Sequence, residues 1–207
     1  MPSDAELVQA FRGGDQRAGK RLVDKYYGRV LGFFRNKAPA SSNDLAQRTF
    51  LGCFEALGRL RDPANFRSFL FAVACNQLRK HYRGKRRDGE RMDFGTVSAV
   101  DLDPSPSGVL ASRQEQRLLL EALRRIPVDY QIVLELFYWE SMKAAEIAEV
   151  LELPLGTAKT RIRRGRQLLE QALAQLAGAR EVLEATVSDL DGWAAGLRER
   201  VGVSPGA

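Results

Sequence analysis

Apolar residues recur every three or four positions along almost the whole chain of 207 residues. No segment shows the sustained alternation of apolar and polar residues that is typical of a half-buried strand. One helical stripe contains Leu22, Tyr26 and Val30, and another contains Phe66 and Leu70. This period predicts an all-α protein built from amphipathic helices.

Short polar signals predict where several of these helices begin and end. Ser3 with Glu6 three residues later forms a capping-box signal at the start of the first helix. Gly13-Gly14 ends that helix, and Asp15 is placed to cap the second. Asp62-Pro63 interrupts the chain before a later helix that carries Phe66.

Residues 88–112 lose the helical period and are rich in Gly, Ser, Pro and Asp. So long an irregular stretch is unusual inside one compact domain and indicates a flexible linker. The predicted organisation is two small helical domains, at 1–87 and 113–175, with a C-terminal extension at 176–207. Apolar residues recur at helical spacing in that extension, which predicts an amphipathic tail that extends the second domain's core, packs on a basic surface of either domain, or recruits a partner.

Composition and single residues exclude several classes of protein. The longest strictly apolar run, Phe69 to Cys75, has seven residues, far fewer than the roughly 20 that span a bilayer. No secretory signal opens the chain, so we expect a cytoplasmic protein without membrane insertion.

Cys53 and Cys75 lie in apolar helical patterns and predict reduced core thiols. With His81 as the only histidine, we expect no catalytic residues, no metal and no cofactor.

The net charge of +6 is unevenly distributed. Residues 167–207 carry three basic and six acidic side chains, a net −3, so residues 1–166 carry +9. An excess of basic residues of this size in the body of the chain indicates a polyanionic partner.

The second domain contains a pattern typical of a helix-turn-helix. A short helix at 144–151 and a turn at Glu152-Leu153-Pro154 precede a helix that begins near Gly156. From residue 156 to residue 166 this second helix carries no acidic residue and five basic residues: Lys159, Arg161, Arg163, Arg164 and Arg166. A solvated basic face is the simpler interpretation, but the preceding turn favours a helix that enters the major groove.

The first domain ends in a different kind of basic cluster. It comprises Arg79, Lys80, His81, Arg83, Lys85, Arg86, Arg87 and Arg91. Aromatic and amide residues, among them Phe66, Asn76 and Tyr82, are interleaved with it or precede it. This mixture suits single-stranded nucleic acid, whose bases can stack and expose their edges. The aromatic residues at helical spacing are more typical of a helix core than of a surface on which bases stack.

Several motifs resemble those of extracytoplasmic-function sigma factors. Asp44-Leu45-Ala46-Gln47-Arg48-Thr49-Phe50 and Phe66-Arg67-Ser68-Phe69-Leu70 are similar to that family's promoter-melting domain. Glu146-Ile147-Ala148-Glu149-Val150-Leu151 and Leu153-Pro154-Leu155-Gly156-Thr157-Ala158-Lys159-Thr160-Arg161 are similar to its C-terminal helix-turn-helix. The resemblance implies a sigma-2-like helical bundle followed by a sigma-4-like helix-turn-helix domain.

The resemblance also implies partners and residue roles. Such a protein binds core RNA polymerase, promoter DNA and often an anti-sigma factor, and it is not an enzyme. The positions that match polymerase-binding residues are Asp44, Gln47 and Phe50. Those implied at the melted −10 element are Asn76, Arg79, Lys80, Tyr82, Arg83, Arg86 and Arg87. Those implied at the duplex −35 element are Thr157, Lys159, Thr160, Arg161, Arg163 and Arg164.

Three features depart from the family pattern, and two other functions compete with it. Arg48 stands where an acid is usual, Glu152 stands at a turn where Gly, Asp or Asn is common, and the chain continues into the 176–207 extension.

A stand-alone helix-turn-helix regulator would explain the second basic cluster but not the first. A helical nuclease would need clustered carboxylates for metal ions, whereas the acids here are scattered.

Overall fold

The structure, a computed structural model, describes residues 2–85, 93–103, 105–106 and 114–177. Within these ranges the chain forms α-helices, short 3-10 turns and one isolated bridge between Ser98 and Pro127, but no strand. The all-α prediction is confirmed. The helices are α1 (Asp4–Arg12), α2 (Gln16–Arg35), α3 (Ser42–Glu55), α4 (Phe66–Lys85), α5 (Ala99–Leu102), α6 (Gln114–Arg125), α7 (Val128–Tyr138), α8 (Ala144–Leu151) and α9 (Leu155–Ala177).

The polar signals in the sequence do mark the first helix boundaries. The backbone N–H of Ser3 donates to Glu6 at 2.7 Å, and the Ser3 side chain accepts from the Glu6 N–H, which completes the capping box. The Asp15 carboxylate accepts from the Arg17 N–H at 2.9 Å at the start of α2. These side chains satisfy backbone donors that have no partner within the helix.

Helices α1 to α4 pack around a core rich in aromatic side chains. Phe34, Phe66 and Phe71 are fully buried, and the Tyr26 ring meets the Phe66 ring edge-on at 5.6 Å between centroids. The bulk of these rings fixes how α2 lies against α4, the helix that carries the first basic cluster. The exposed residues of α4, which all lie in its C-terminal half, therefore stand on a rigid base.

Helices α6 to α9 form the second domain, in which α8, a tight turn and α9 make the predicted helix-turn-helix. Helix α9 also packs against α6 and α7, with Gly165 directly over Leu134. Glu152 ends α8 in the left-handed conformation, with φ of 55°. This is the turn position at which the sequence departs from the family pattern.

The middle of the predicted linker is folded onto the second domain. Ser98 and Asp101 form a capping box at the start of α5, with the Ser98 N–H donating to Asp101 at 3.0 Å. The carbonyl of Val97 accepts from the Val128 N–H at 3.0 Å, beside the start of α7. The composition of this segment did not predict these contacts, because most of them use backbone groups, which every residue provides.

The two domains pack against each other rather than standing apart. One continuous apolar cluster contains Phe33 and Phe71 of the first domain with Val133 and Ile147 of the second. Helix α4 lies directly against α8. Of the extension predicted at 176–207, the last two residues of α9 belong to the described part, and residues 178–207 lie outside it. Within the described ranges, no helix combines the length and apolarity needed to cross a membrane.

Replacing Glu152 by glycine is expected to stabilise the protein by about 1 kcal/mol, because a side chain with a Cβ is strained at positive φ and glycine is not. The measurement is the free energy of unfolding by urea titration. Glu149→Gly is the matched control, since Glu149 lies exposed within α8 and glycine there should cost about 1 kcal/mol. Equal effects of the two changes would contradict the role of the turn conformation.

Replacing Gly165 by alanine is expected to lower the free energy of unfolding by about 1 kcal/mol. A Cβ there would lie 3.2 Å from Cγ of Leu134, and Leu134 is held in a buried cluster that leaves it little room to move. Gly156→Ala in the same helix is the control, because no atom lies within 4 Å of a Cβ at that position. The control should gain stability through helix propensity, by about 0.5–1 kcal/mol. If both variants gain stability, α7 and α9 are not in the close contact described.

Candidate nucleic-acid interface

The N-terminal half of α9 presents a basic surface to solvent. Lys159, Thr160, Arg163 and Arg164 are exposed, and Thr157 is half-buried. The Thr160 hydroxyl donates to the Gly156 carbonyl at 2.9 Å, which holds that side chain against the helix. No acidic residue occurs from 153 to 169. A helix with this surface can enter a major groove, with its first turns near base edges and later arginines near phosphates.

Two basic residues of the same helix are engaged within the protein. The Arg161 guanidinium donates to Asp129 at 2.9 Å, and its side chain is only 27% exposed. The Arg166 guanidinium lies over the rings of Phe137 and Tyr138, at 5.3 and 5.2 Å from their centroids. The sequence placed both in the basic cluster, but it could not show that α7 supplies their partners.

The solvent side of α4 carries the second basic surface. Asn76, Lys80 and Arg83 are exposed and follow one another at steps of four and three residues, so they share one helix face. Arg79 is half-buried, with its guanidinium 3.8 Å from Asp129. Arg86 and Arg87 lie outside the described residues.

Tyr82 does not belong to this surface, which corrects the role implied by the resemblance. Its side chain is buried, and its hydroxyl donates to the Lys37 carbonyl. Burial, with the Asp103 carboxylate nearby, raises the pKa of the Tyr82 phenol above its ordinary value. Tyr82 follows Phe71, Cys75 and Leu78 on the face of α4 that points inward, so the helical period places it in the core.

Phe50 requires a similar correction on α3. Asp44 and Gln47 are exposed as expected, but Phe50 is buried against Tyr27, with ring centroids 6.1 Å apart. The exposed apolar residue is its neighbour Leu51, at 61%. Leu51 stands seven residues after Asp44 and therefore shares its face, a signal that the sequence contained and our prediction missed.

The polar residues at the start of α3 form an ion pair of their own. Arg48, the departure from the family pattern, donates to Asp44 at 2.9 Å, one helical turn away. Both side chains are more than half exposed, so the pair contributes little to stability. Its effect is local: the positive charge of Arg48 neutralises Asp44 on the face that carries Gln47.

The described part of the chain contains two buried thiols and no cluster of side chains that is placed to hold a metal ion. Cys53 and Cys75 are buried free thiols, and burial raises the pKa of each to about 12. A thiol with such a pKa stays protonated and unreactive at neutral pH. Among the described residues, no group of three or more His, Cys, Asp and Glu is placed to hold a metal ion.

Known proteins with similar sequences and folds correspond to both domains. The family model described as Sigma-70 region 2 matches residues 22–88, and the model described as Sigma-70, region 4 matches residues 116–169. These are the segments that carry the exposed faces of α4 and α9. A stand-alone helix-turn-helix regulator would leave the region 2 match unexplained, so that alternative is not favoured.

Full-length relatives give the same assignment. RNA polymerase sigma-H factor of Pseudomonas aeruginosa is 30% identical over 186 residues, which cover 84% of this chain and 95% of the relative. ECF RNA polymerase sigma-E factor of Haemophilus influenzae is 26% identical, with 84% and 97% covered. The solved structure of CnrH in complex with the cytosolic domain of CnrY has a similar fold, with a TM-score of 0.60 at 24% identity, over 84% of this chain and 99% of that one. The chain therefore belongs to the sigma-70 family, as a sigma factor of the extracytoplasmic-function type.

Proposed function

We propose that this sigma factor directs core RNA polymerase to promoters by dividing recognition between its domains. The first domain binds the polymerase and the melted −10 element, and the second binds the duplex −35 element. The observation that carries the proposal is the pair of exposed basic surfaces, one with an amide on α4 and one without acids on α9. The protein acts by binding and not by catalysis.

The proposed polymerase-binding surface is the exposed face of α3. Asp44, Gln47, Arg48 and Leu51 fall at steps of three and four residues and are all exposed. An exposed leucine among polar residues is suited to the apolar centre of an interface with a polar rim. The Arg48–Asp44 pair reduces the charge of this face, so Gln47 and Leu51 are its main anchors.

The proposed −10 surface is the exposed face of α4. Asn76 can donate to and accept from the Watson–Crick edge of an extruded base, while Lys80 and Arg83 lie near the phosphates of the opened strand. Extruding a base costs a few kcal/mol, and a contact on a helix already held by the aromatic core recovers part of that cost. Arg79 also belongs to this surface once it leaves Asp129.

The proposed −35 surface is the exposed face of α9. Arg163 and Arg164 are suited to guanine edges or phosphates, and Lys159 and Thr160 lie one turn closer to the start of the helix. Each domain alone offers a small contact area. Binding both elements through one chain gains affinity because the second contact forms at high effective concentration.

Two further assignments follow from this function. The protein acts in the cytoplasm, where core polymerase and the chromosome are found. We also propose an anti-sigma partner, because the solved relative CnrH is described in complex with a second protein, the cytosolic domain of CnrY. The surfaces of α3 and α4 are the ones that such a partner would have to cover to block polymerase and promoter binding.

The double variant Gln47→Ala/Leu51→Ala is expected to weaken binding to core polymerase by about tenfold or more, because it removes both anchors of the α3 face. Fluorescence anisotropy of labelled sigma factor titrated with core polymerase measures the change. Lys20→Ala is the control, since Lys20 is a highly exposed residue of the same domain and should bind as wild type. Wild-type affinity of a correctly folded double variant would overturn the assignment of this face.

The two DNA surfaces are expected to be separable by transcription with core polymerase from a library in which both promoter elements are randomised. Arg163→Ala should lose sequence preference at −35 by about 10- to 100-fold at the contacted base pair, while its −10 preference remains. Asn76→Ala should lose sequence preference at −10, while its −35 preference remains. Lys20→Ala again serves as the control. Transcripts from the wild type with no shared −35 and −10 sequences would overturn the proposed function.

A further inference from the structure

The second domain contains an apolar cluster of its own, separate from the core that it shares with the first domain. The buried members of this cluster come mainly from α6, α7 and α9. Six further apolar side chains pack against it and are only half-buried: Leu118, Tyr130, Tyr138, Trp139, Leu168 and Leu176. So many large apolar side chains at the edge of one small cluster indicate a surface that another element covers.

A cleft enters this cluster between α6, α7 and α9. Tyr138 and Trp139 in its wall are half-buried, so the cleft is open to solvent beside them. Glu135 also borders the cleft, but its carboxylate is paired with Lys37. A lining with so few available polar groups is suited to apolar side chains and not to a charged ligand. The apolar and aromatic residues of the wall are Leu119, Leu123, Leu134, Tyr138, Trp139 and Leu169.

The C-terminal half of α9 leads along the same cluster to the end of the described chain. Leu169, Leu173 and Leu176 follow one another at steps of four and three residues, so they lie on one face of the helix. All three belong to the cluster or pack against it. Ala177, the last residue of α9, comes directly after Leu176. The rest of the chain therefore starts beside the half-buried apolar side chains.

The sequence after α9 has the pattern of a second amphipathic helix. Apolar residues recur at steps of four and three residues between 183 and 201. The five residues before them begin with Gly178, and glycine is the residue that most often ends a helix and lets the chain reverse. Five residues are enough to connect two antiparallel helices. The apolar positions are Leu183, Val187, Leu190, Ala194, Leu197 and Val201.

The length of this segment matches the distance back to the cleft. A helix over residues 183–201 is about 28 Å long at 1.5 Å per residue, whereas α9 rises by only about 12 Å from Leu169 to Ala177. A segment that reverses direction after Ala177 thus passes the whole cleft. Because it is tethered through five residues, its effective concentration at the cleft is far higher than that of a separate protein.

We propose that residues 178–207 turn back at Gly178 and seat their apolar face on the cleft between α6, α7 and α9. The chain then completes the core of its own second domain. This inference goes beyond the proposed function and does not depend on it. It assigns the half-buried apolar side chains an occupant from the same chain.

The seated segment leaves the −35 surface open. Leu169 in the wall of the cleft follows Thr160 by nine residues, which is two and a half turns, so the two residues lie on opposite sides of α9. Thr160 is exposed with the basic residues of that surface. Disrupting the seat should therefore leave the sequence preference at −35 unchanged, whereas a tail that masked the DNA-binding surface would alter it.

The first test uses Trp139 as a reporter in the free, full-length protein. Trp139 and Trp193 are the only tryptophans of the chain, so Trp193→Phe leaves the one in the cleft. In that background Leu190→Asp should raise the acrylamide quenching constant of Trp139 by about twofold, because a charge in the apolar face prevents it from covering the ring. The emission maximum should shift to longer wavelength.

Ala185→Asp is the matched control, because it adds the same charge to the same segment. Position 185 is two residues from both Leu183 and Val187 and therefore points away from the apolar face. This variant should keep the quenching constant of the Trp193→Phe reference. Neither substitution touches a residue of α1 to α9, so circular dichroism should show that both variants stay folded.

The second test is chemical cross-linking between introduced cysteines. Cys53 and Cys75 are buried, and the raised pKa of each keeps them unreactive. Leu168→Cys paired with Leu190→Cys should give a cross-link within one chain when treated with a short bismaleimide. Leu168→Cys paired with Ala185→Cys is the control and should react several times less.

Each contrary result overturns the proposal in a recognisable way. Equal quenching of Trp139 in the reference, Leu190→Asp and Ala185→Asp proteins would show that the segment does not cover the cleft. Cross-linked dimers that increase with protein concentration would assign the cleft to the segment of a second copy. Cross-links from position 168 to added core polymerase, with none to the segment, would assign it to the polymerase. All quenching measurements use the free protein, so a failure of promoter-specific transcription would refute the proposed function alone.

Discussion

The arrangement of the two domains depends on the ion pair between Lys37 and Glu135. Both groups are buried, and together with Asn36 and Gln131 they form a network in which the Glu135 carboxylate accepts three hydrogen bonds. A buried charge without its partner is strongly unfavourable, so this network permits few relative positions of the two domains. The apolar contacts around it contribute area, but apolar contact alone is not directional.

Charge distribution links that interface to recognition of DNA. The body of the chain carries a net +9, yet several of its arginines face carboxylates of the other domain rather than solvent. Among the residues that stay exposed, those of α4 and α9 form two surfaces of different chemistry: an amide followed by basic residues on α4, and basic residues without acids on α9. A sigma factor needs both, since one element is read as opened strand and the other as duplex.

The corrected residues show how a motif can mislead at single positions. Phe50 and Tyr82 were assigned to binding surfaces by resemblance, although their spacing placed them on the buried faces of α3 and α4. Leu51 was overlooked because a leucine in a helix is usually counted with the core, although its spacing of seven residues from Asp44 places it on the exposed face, where it is 61% exposed. At both positions the helical period agrees with the burial that the structure shows.

The sequence by itself determined the all-α class, the first helix boundaries, the helix-turn-helix and the two basic clusters. These follow from local causes, namely the spacing of apolar residues, capping side chains and runs of like charge, which act within a few turns of helix. Only the tertiary structure decided that Asp129 meets Arg79 and Arg161, or that Lys37 meets Glu135. Lys37 and Glu135 are 98 residues apart in the chain, and no local pattern encodes such contacts, because they exist only when two separately formed helical surfaces come together.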